Sequence, residues 1–277
     1  MKKLILLCCL CLIVVFLYET KNTENIESEI PSLNSKNAIL IDEKGHVLYE
    51  KNADASIYPA SLTKIMTAII AIEESDDLQK QATVDAKTIT TFTAQHASMA
   101  GFKAGDLVTI EDLLYGTILT SGADATATLA NVIAGSEDSF VLLMNNKAQE
   151  LGMNDTHFVN VSGLHDDAHV SSVRDLSKLF QYAIENPLFN KILTTKSYVT
   201  AVPDKLTMSS TLFTKMVGVE DVIIGGKTGY TPEAGLCLAS LLEKNGKRYL
   251  FITTNAPGNV WSEPLHIEDA LNVQVVL

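Results

Sequence analysis

The sequence predicts an α+β fold, an antiparallel sheet built from both termini and packed with helices, with a mainly helical subdomain inserted. Three observations predict it. Strand-like runs occur at both ends of the chain, helical patterns fill the stretch from about 75 to 205, and 277 residues, 47% of them hydrophobic, are enough to bury a sizeable core. A cleft between the sheet part and the helical part is the natural position for a site.

The elements follow in order. Lys2 and Lys3 precede fifteen apolar residues, Leu4 to Tyr18, which read as a signal peptide or signal anchor over 1–18. No small-x-small pattern follows, which favours an uncleaved anchor. Residues 19–34 are polar, carry Pro31 and read as a linker, leaving 35–277 as the folded domain. Ala38–Ile41 and Val47–Tyr49 flank a turn bearing Gly45 and predict a β-hairpin. Pro59 opens a helix to about Glu74, so densely apolar that it should be central and buried. Helical patterns follow over 110–119, 125–133, 136–151 and 173–184, the last ended by Asn186-Pro187. Val222–Ile224, Leu236–Leu242 and Tyr249–Thr254 read as strands, the last two joined by a hairpin turn at 243–247. A short helix near 266–272 closes the chain.

Acidic residues outnumber basic ones 33 to 21, a formal charge of −12, which argues against nucleic acid as a partner. Cys8, Cys9 and Cys11 lie in the apolar run, so Cys237 has no partner for an intramolecular bridge in the rest of the chain, and the four resemble no zinc ligand set. His165-Asp166-Asp167-Ala168-His169 lacks the His-Glu-x-x-His order, and no metal or cofactor is expected.

The chemistry-bearing residues begin with Ser61-Leu62-Thr63-Lys64. Three residues of helix turn through about 300°, placing Ser61 and Lys64 on nearly one face. At a helix start the backbone N–H is free and the dipole favours developing negative charge, so Ser61 can be a nucleophile and Lys64 its base. That role needs Lys64 neutral part of the time, through burial or a neighbouring cation. Two further segments give this common spacing its weight: Thr120-Ser121-Gly122-Ala123 between helical segments, and Gly225-Gly226-Lys227-Thr228-Gly229-Tyr230-Thr231 before a strand. Lys-Thr-Gly on a strand edge sets a cation and a hydroxyl side by side, facing the cleft, and Gly229 allows close approach to the backbone. The spacing is not that of a phosphate loop.

The order Ser-x-x-Lys, Ser-x-x, Lys-Thr-Gly resembles the motif set of penicillin-binding proteins and class A β-lactamases. Tyr58–Thr67, Leu151–Phe158 with Ser162-Gly163-Leu164, and Lys227–Pro232 with Ala234–Leu238 extend the match to the serine-type D-Ala-D-Ala carboxypeptidases, low-molecular-mass penicillin-binding proteins of the bacterial envelope, over about 36–270. The resemblance implies a transpeptidase-like catalytic domain that removes the terminal D-Ala from peptidoglycan stem pentapeptides through an acyl-enzyme on Ser61. It further implies inhibition by β-lactams, an exported protein held at the membrane by residues 4–18 or released after cleavage, and no cofactor. By the same resemblance Lys64 is the general base and Ser121 a relay for the proton towards the leaving amine, while Lys227 with Thr228 holds the substrate carboxylate, and Gly229 and Tyr230 beside them also bind substrate. The N–H groups of Ser61 and Tyr230 would form the oxyanion hole, and Lys227 would help to depress the pKa of Lys64. A histidine at the position of His169 is structural in the family.

Two departures stand out. The resemblance implies a central triplet ending in Asn, whose side-chain amide contacts the substrate and the lysine; this chain has Ala123 there, which predicts slower acylation and supports an alternative reading as a degenerate penicillin-binding protein with little turnover. The segment before Lys-Thr-Gly has Ser209-Ser210-Thr211 and a longer approach in place of an Asn-x-Asn pattern. A class A β-lactamase would need a Glu with a nearby Asn to activate water; Glu150 with Asn154 falls in the stretch that already matches the carboxypeptidases.

Overall fold

The computed structural model describes residues 30, 32–201, 205–216 and 222–277. The apolar run of 4–18 therefore lies outside the described residues, as do most of the linker and the approach at 217–221. Strands β1 (Asn37–Asp42) and β2 (Val47–Lys51) form the expected hairpin. Its turn is held by the Asp42 carboxylate, which accepts from the N–H groups of Lys44 and His46 at 2.8 and 2.9 Å. At the other end of the chain β7 (Ile223–Thr231), β8 (Gly235–Lys244) and β9 (Lys247–Ala256) form an antiparallel meander. Asn245 and Gly246 both have positive φ, the backbone that a two-residue hairpin loop needs. Strand order is β2-β1-β9-β8-β7, antiparallel throughout, so the two termini build one sheet. Strand β7 runs through the Lys-Thr-Gly motif; the motif is part of the edge strand and does not precede it.

Both faces of the sheet are covered, which explains the unbroken apolar run in β1. Ile39 and Ile41 face the core around helix α1 (Thr63–Glu73). Ala38 and Leu40 face Ile267, Ala270 and Val273, from helix α8 (Leu265–Asn272) and its continuation. Helix α1 is buried from Thr63 through Ala71, so it is the central helix its composition predicts. Asp269 of α8 ties the C-terminal helix to the start of the domain. Its carboxylate accepts from the N–H groups of Asn34 and Ser35, both at 2.8 Å, and from the Ser35 hydroxyl at 2.6 Å.

Between the two sheet segments lie α2 (Ala86–Ala94), α3 (Ile110–Ile118), α4 (Ala123–Ala134), α5 (Glu137–Glu150), α6 (Val173–Glu185) and α7 (Pro187–Leu193). Thr109 and Asp112 cap α3 reciprocally, and Asn186 caps α7, so Pro187 opens a helix as well as ending one. The block also holds two small ribbons absent from the sequence reading, β3 (Gln81–Thr83) with β4 (Leu107–Thr109), and β5 (Ser197–Val199) with β6 (Thr207–Ser209). Three-residue strands are too short to show a period of two.

Candidate active site

Ser61 does not start the α-helix itself. It lies in a 3₁₀ turn, Ala60–Leu62, that feeds α1, and Ala60 before it has φ +47°. A non-glycine residue in that region is strained and has to be held by its surroundings. Two glycines let those surroundings close in. A Cβ on Gly163, itself at φ +78°, would stand 1.9 Å from the Ala60 carbonyl oxygen. One on Gly229 would come within 3.1 Å of the Ser61 nitrogen. The loop after α5 and the edge strand β7 thus meet at the serine.

Lys64, the second residue of α1, brings its Nζ to 3.1 Å from Ser61 Oγ. The same ammonium nitrogen donates to the carbonyl of Ser162. Lys64 is buried, and desolvation pulls its pKa down to about 7, with the nearby Asp124 carboxylate pulling the other way. Asp124 is buried too. Burial raises its pKa, while the N–H groups of Ala100, Ala125, Gly101 and Phe102 pull it down.

Ser121, between α3 and α4, is a second non-glycine residue in the left-handed region, at φ +59°. Its hydroxyl accepts from Lys227 Nζ at 2.9 Å. Lys227 is completely buried and donates also to the Thr228 carbonyl at 2.7 Å. Alternation along β7 puts Lys227 and Gly229 on the face that packs against Ser121 and Ser61. The sequence places Lys227 on the cleft with Thr228; in the structure its ammonium is engaged by the Ser121 hydroxyl and the Thr228 carbonyl. Burial, then the proximity of Lys64, drives the Lys227 pKa well below its ordinary value. The depression of Lys64 itself comes from burial.

Ser61 opens on two adjoining hollows. One, of about 280 Å³, is lined by Ser61, Ser121, Thr228, Tyr230, Trp261 and His266, among others. The other, of about 250 Å³, takes in Ser61, Lys64, Ala123, Ser162, Leu164 and Tyr230. Thr228 and Thr211 pair their hydroxyls at 2.7 Å. The structure therefore brings Ser61, Lys64, Ser121, Lys227, Thr228, Gly229 and Tyr230 into one place. A hydroxyl at the N-terminal turn of a buried helix, beside an amine titrating near neutrality, can attack an acyl carbon and hand over its proton.

Ala123 lies against Phe92 and Ala127 in a small apolar cluster, with its methyl on the second hollow. The bond that Lys64 lacks there is made to Ser162. Asn160 shapes that loop by accepting from the N–H groups of Ser162 (3.1 Å) and Gly163 (2.7 Å), while its amide donates to the Leu164 carbonyl at 2.9 Å. Sequence reasoning missed Asp124 and the Ser162 carbonyl. A carboxylate in the first turn of α4 was a readable signal; a backbone carbonyl leaves none.

The fold is that of the transpeptidase-like proteins. The solved structure of the Streptomyces K15 DD-transpeptidase superimposes with a TM-score of 0.82 at 29% identity, covering 89% of this chain and 98% of that one. The chain belongs to the D-alanyl-D-alanine carboxypeptidase family, whose model matches residues 23–258. It is 34% identical over 215 residues to the D-alanyl-D-alanine carboxypeptidase of Streptomyces sp. K15, covering 73% of this chain and 74% of that protein. It is 33% identical over 227 residues to D-alanyl-D-alanine carboxypeptidase DacF of Bacillus subtilis, covering 80% of this chain and 57% of the relative. With DacA of Escherichia coli it shares 33% over 228 residues, 79% of this chain and 55% of the relative. The chain thus spans little more than half the length of two of these relatives.

Proposed function

We propose that this chain is a serine D-Ala-D-Ala carboxypeptidase acting on peptidoglycan stem pentapeptides, and that β-lactams acylate it. Ser61 Oγ attacks the carbonyl of the penultimate D-Ala while its proton passes to Lys64 Nζ. The N–H groups of Ser61 and Tyr230 receive the oxyanion. As the tetrahedral intermediate collapses, the C–N bond breaks and the leaving D-Ala amine takes a proton through Ser121, whose orientation Lys227 sets. Water then cleaves the Ser61 ester, giving a stem tetrapeptide and free enzyme. The observation that supports this reading is Lys64: buried, 3.1 Å from Ser61 Oγ and titrating at about 7, it is partly neutral at neutral pH and able to accept the proton.

Export to the bacterial envelope belongs to the same proposal and rests on Lys2, Lys3 and the apolar run Leu4–Tyr18. Among the described residues no helix is long and apolar enough to cross a membrane. Mass spectrometry after incubation with benzylpenicillin, with a D-Ala release assay on a pentapeptide, tests the activity. A single adduct on Ser61, absent from Ser61→Ala, together with D-Ala release, is the expected result. Acylation without release would turn the reading into a penicillin-binding protein of little turnover, and an adduct on folded Ser61→Ala would remove the serine from the mechanism.

A further inference from the structure

The loop between β9 and α8 has no part in the acyl transfer described above. Near its middle lies Trp261, the only tryptophan in the sequence, at 93% exposure. Single exposed apolar residues are common, so exposure alone assigns nothing to it. Two further observations do. The first is position: Val260, itself 45% exposed, lines both hollows with Ser61, and Trp261 lines the larger one. The indole therefore stands at the mouth of the cleft, where a substrate larger than the hollow extends over the rim. The second is stiffness. Asn259 Oδ1 accepts from the Trp261 backbone N–H at 2.9 Å, and the Ser262 hydroxyl accepts from the Asn259 N–H and donates to the Asn259 carbonyl, both at 2.9 Å. Lys215 Nζ holds the Val260 carbonyl at 3.3 Å. Gly258, at φ +112°, has no room for a side chain, since a Cβ there would stand 2.2 Å from Ser262 Oγ. An aromatic ring presented on a fixed backbone loses little freedom when it is covered, which is what a preorganised contact needs.

The surroundings of the ring narrow the ligand. Asn259, Ser262 and Glu263 are all exposed, and among the described residues the indole N–H, the Asn259 NH₂ group and the Glu263 carboxylate are bonded to no other protein group. A flat apolar face ringed by donors and acceptors matches a pyranose, which offers C–H bonds on its face and hydroxyls at its rim. A bilayer fits poorly, because it would bury those polar groups unpaired and the formal charge of −12 opposes anionic lipid. We propose that Trp261 is a stacking platform for the glycan that carries the stem peptide, one sugar ring lying on the indole while the peptide occupies the cleft. This rests on the carboxypeptidase reading and deepens it: the enzyme then prefers stem peptide attached to its amino-sugar strand over free peptide.

D-Ala release by the full chain from a pentapeptide, and from the same pentapeptide bearing the N-acetylated disaccharide of peptidoglycan, reads the contact as a ratio of kcat/KM values. Wild type should favour the disaccharide substrate about three- to tenfold, the size of one aromatic contact. The ratio should fall to near one in Trp261→Ala and largely survive in Trp261→Tyr, with melting temperature confirming that each variant folds. Because the chain has a single tryptophan, its fluorescence reports the same contact independently. In full-length Ser61→Ala, which lacks the nucleophile, emission should shift to shorter wavelength with the disaccharide-pentapeptide and not with the free pentapeptide. Equal rates in wild type, or a preference kept by folded Trp261→Ala, would overturn the inference. So would emission that ignores the disaccharide-pentapeptide, or that moves equally with free pentapeptide and so gives the indole to the peptide. A shift with phosphatidylglycerol vesicles in place of the sugar would give it to the membrane instead. A wild type that releases no D-Ala from either substrate would sink the carboxypeptidase reading, and the fluorescence titration would still decide for or against the platform.

Discussion

Lys64 Nζ lies 3.1 Å from Ser61 Oγ and also donates to the carbonyl of Ser162, so the buried side chain that would accept the serine proton is fixed from two directions. Burial brings its pKa to about 7. Because the charged form cannot accept a proton, the second-order rate of penicillin acylation should rise with pH through about 7. It should change nearly tenfold per unit on the acid side and level off on the alkaline side. Lys64→Ala should cost roughly 10²- to 10⁴-fold, the usual contribution of a positioned general base. Stopped-flow acylation across the pH range checks both; a flat profile would mean that another group takes the proton.

The parts of this site that were legible in the sequence are those that local chemistry dictates. Ser61 and Lys64 are three residues apart near a helix start, so helical geometry alone brings them together. The hairpins were readable because turn residues such as Asn245-Gly246 punctuate apolar runs. What was hidden depends on long-range packing. Lys227 reads as a strand-edge cation, yet its burial follows from Ser121, a residue 106 positions away. Likewise the Ser162 carbonyl reaches Lys64 across 98 residues, and nothing in a backbone carbonyl's own sequence announces that role. Positive φ at Ala60 and Ser121 was equally invisible, since neither residue type favours it and only the surrounding contacts impose it.

Ala123 looks like damage in the sequence, and the structure removes half of that argument. Lys64 keeps a second partner in Ser162, so its constraint does not depend on an amide at 123. An Asn there would displace a methyl from the cluster with Phe92 and Ala127, and its amide would be partly desolvated. What remains to be gained is one hydrogen bond to the substrate, on the order of 1 kcal/mol or several-fold in rate. Ala123→Asn is therefore expected to change penicillin acylation by less than tenfold in either direction. A faster rate beyond that, in a variant that melts at the wild-type temperature, would show that the alanine limits acylation.

His169 carries the last prediction, which concerns stability. The ring is buried at 2% exposure. Val159 N–H donates to Nδ1 at 3.1 Å, so Nδ1 is the unprotonated nitrogen and Nε2 is left to donate to Thr63 Oγ1 at 2.8 Å. That bond fixes the residue next to Lys64 at the start of α1. Protonation of Nδ1 would set two N–H groups against each other. Burial is the main cause of a pKa lowered from 6.5 to about 4; Asp166 opposes it, while His157, Lys64 and His165 reinforce it. In the unfolded chain the imidazole takes its proton near 6.5, so between pH 6.5 and about 4 the unfolded state binds more protons than the native one. Stability from this group is complete above pH 6.5 and is lost as the pH falls through that window, at up to about 1.4 kcal/mol per pH unit. His266, lowered to about 4 as well, adds to the same slope. Urea unfolding of wild type and of His169→Gln at pH 7.5, 6, 5 and 4.5 separates this residue from the carboxylates, which titrate alike in both (about one proton's difference in slope is the size to resolve). The variant should be less stable at pH 7.5 and lose less on acidification, so that the two curves converge towards low pH. Parallel curves would show that His169 keeps an ordinary pKa in the native protein, and the neutral tie between Thr63 and Val159 would have to be abandoned.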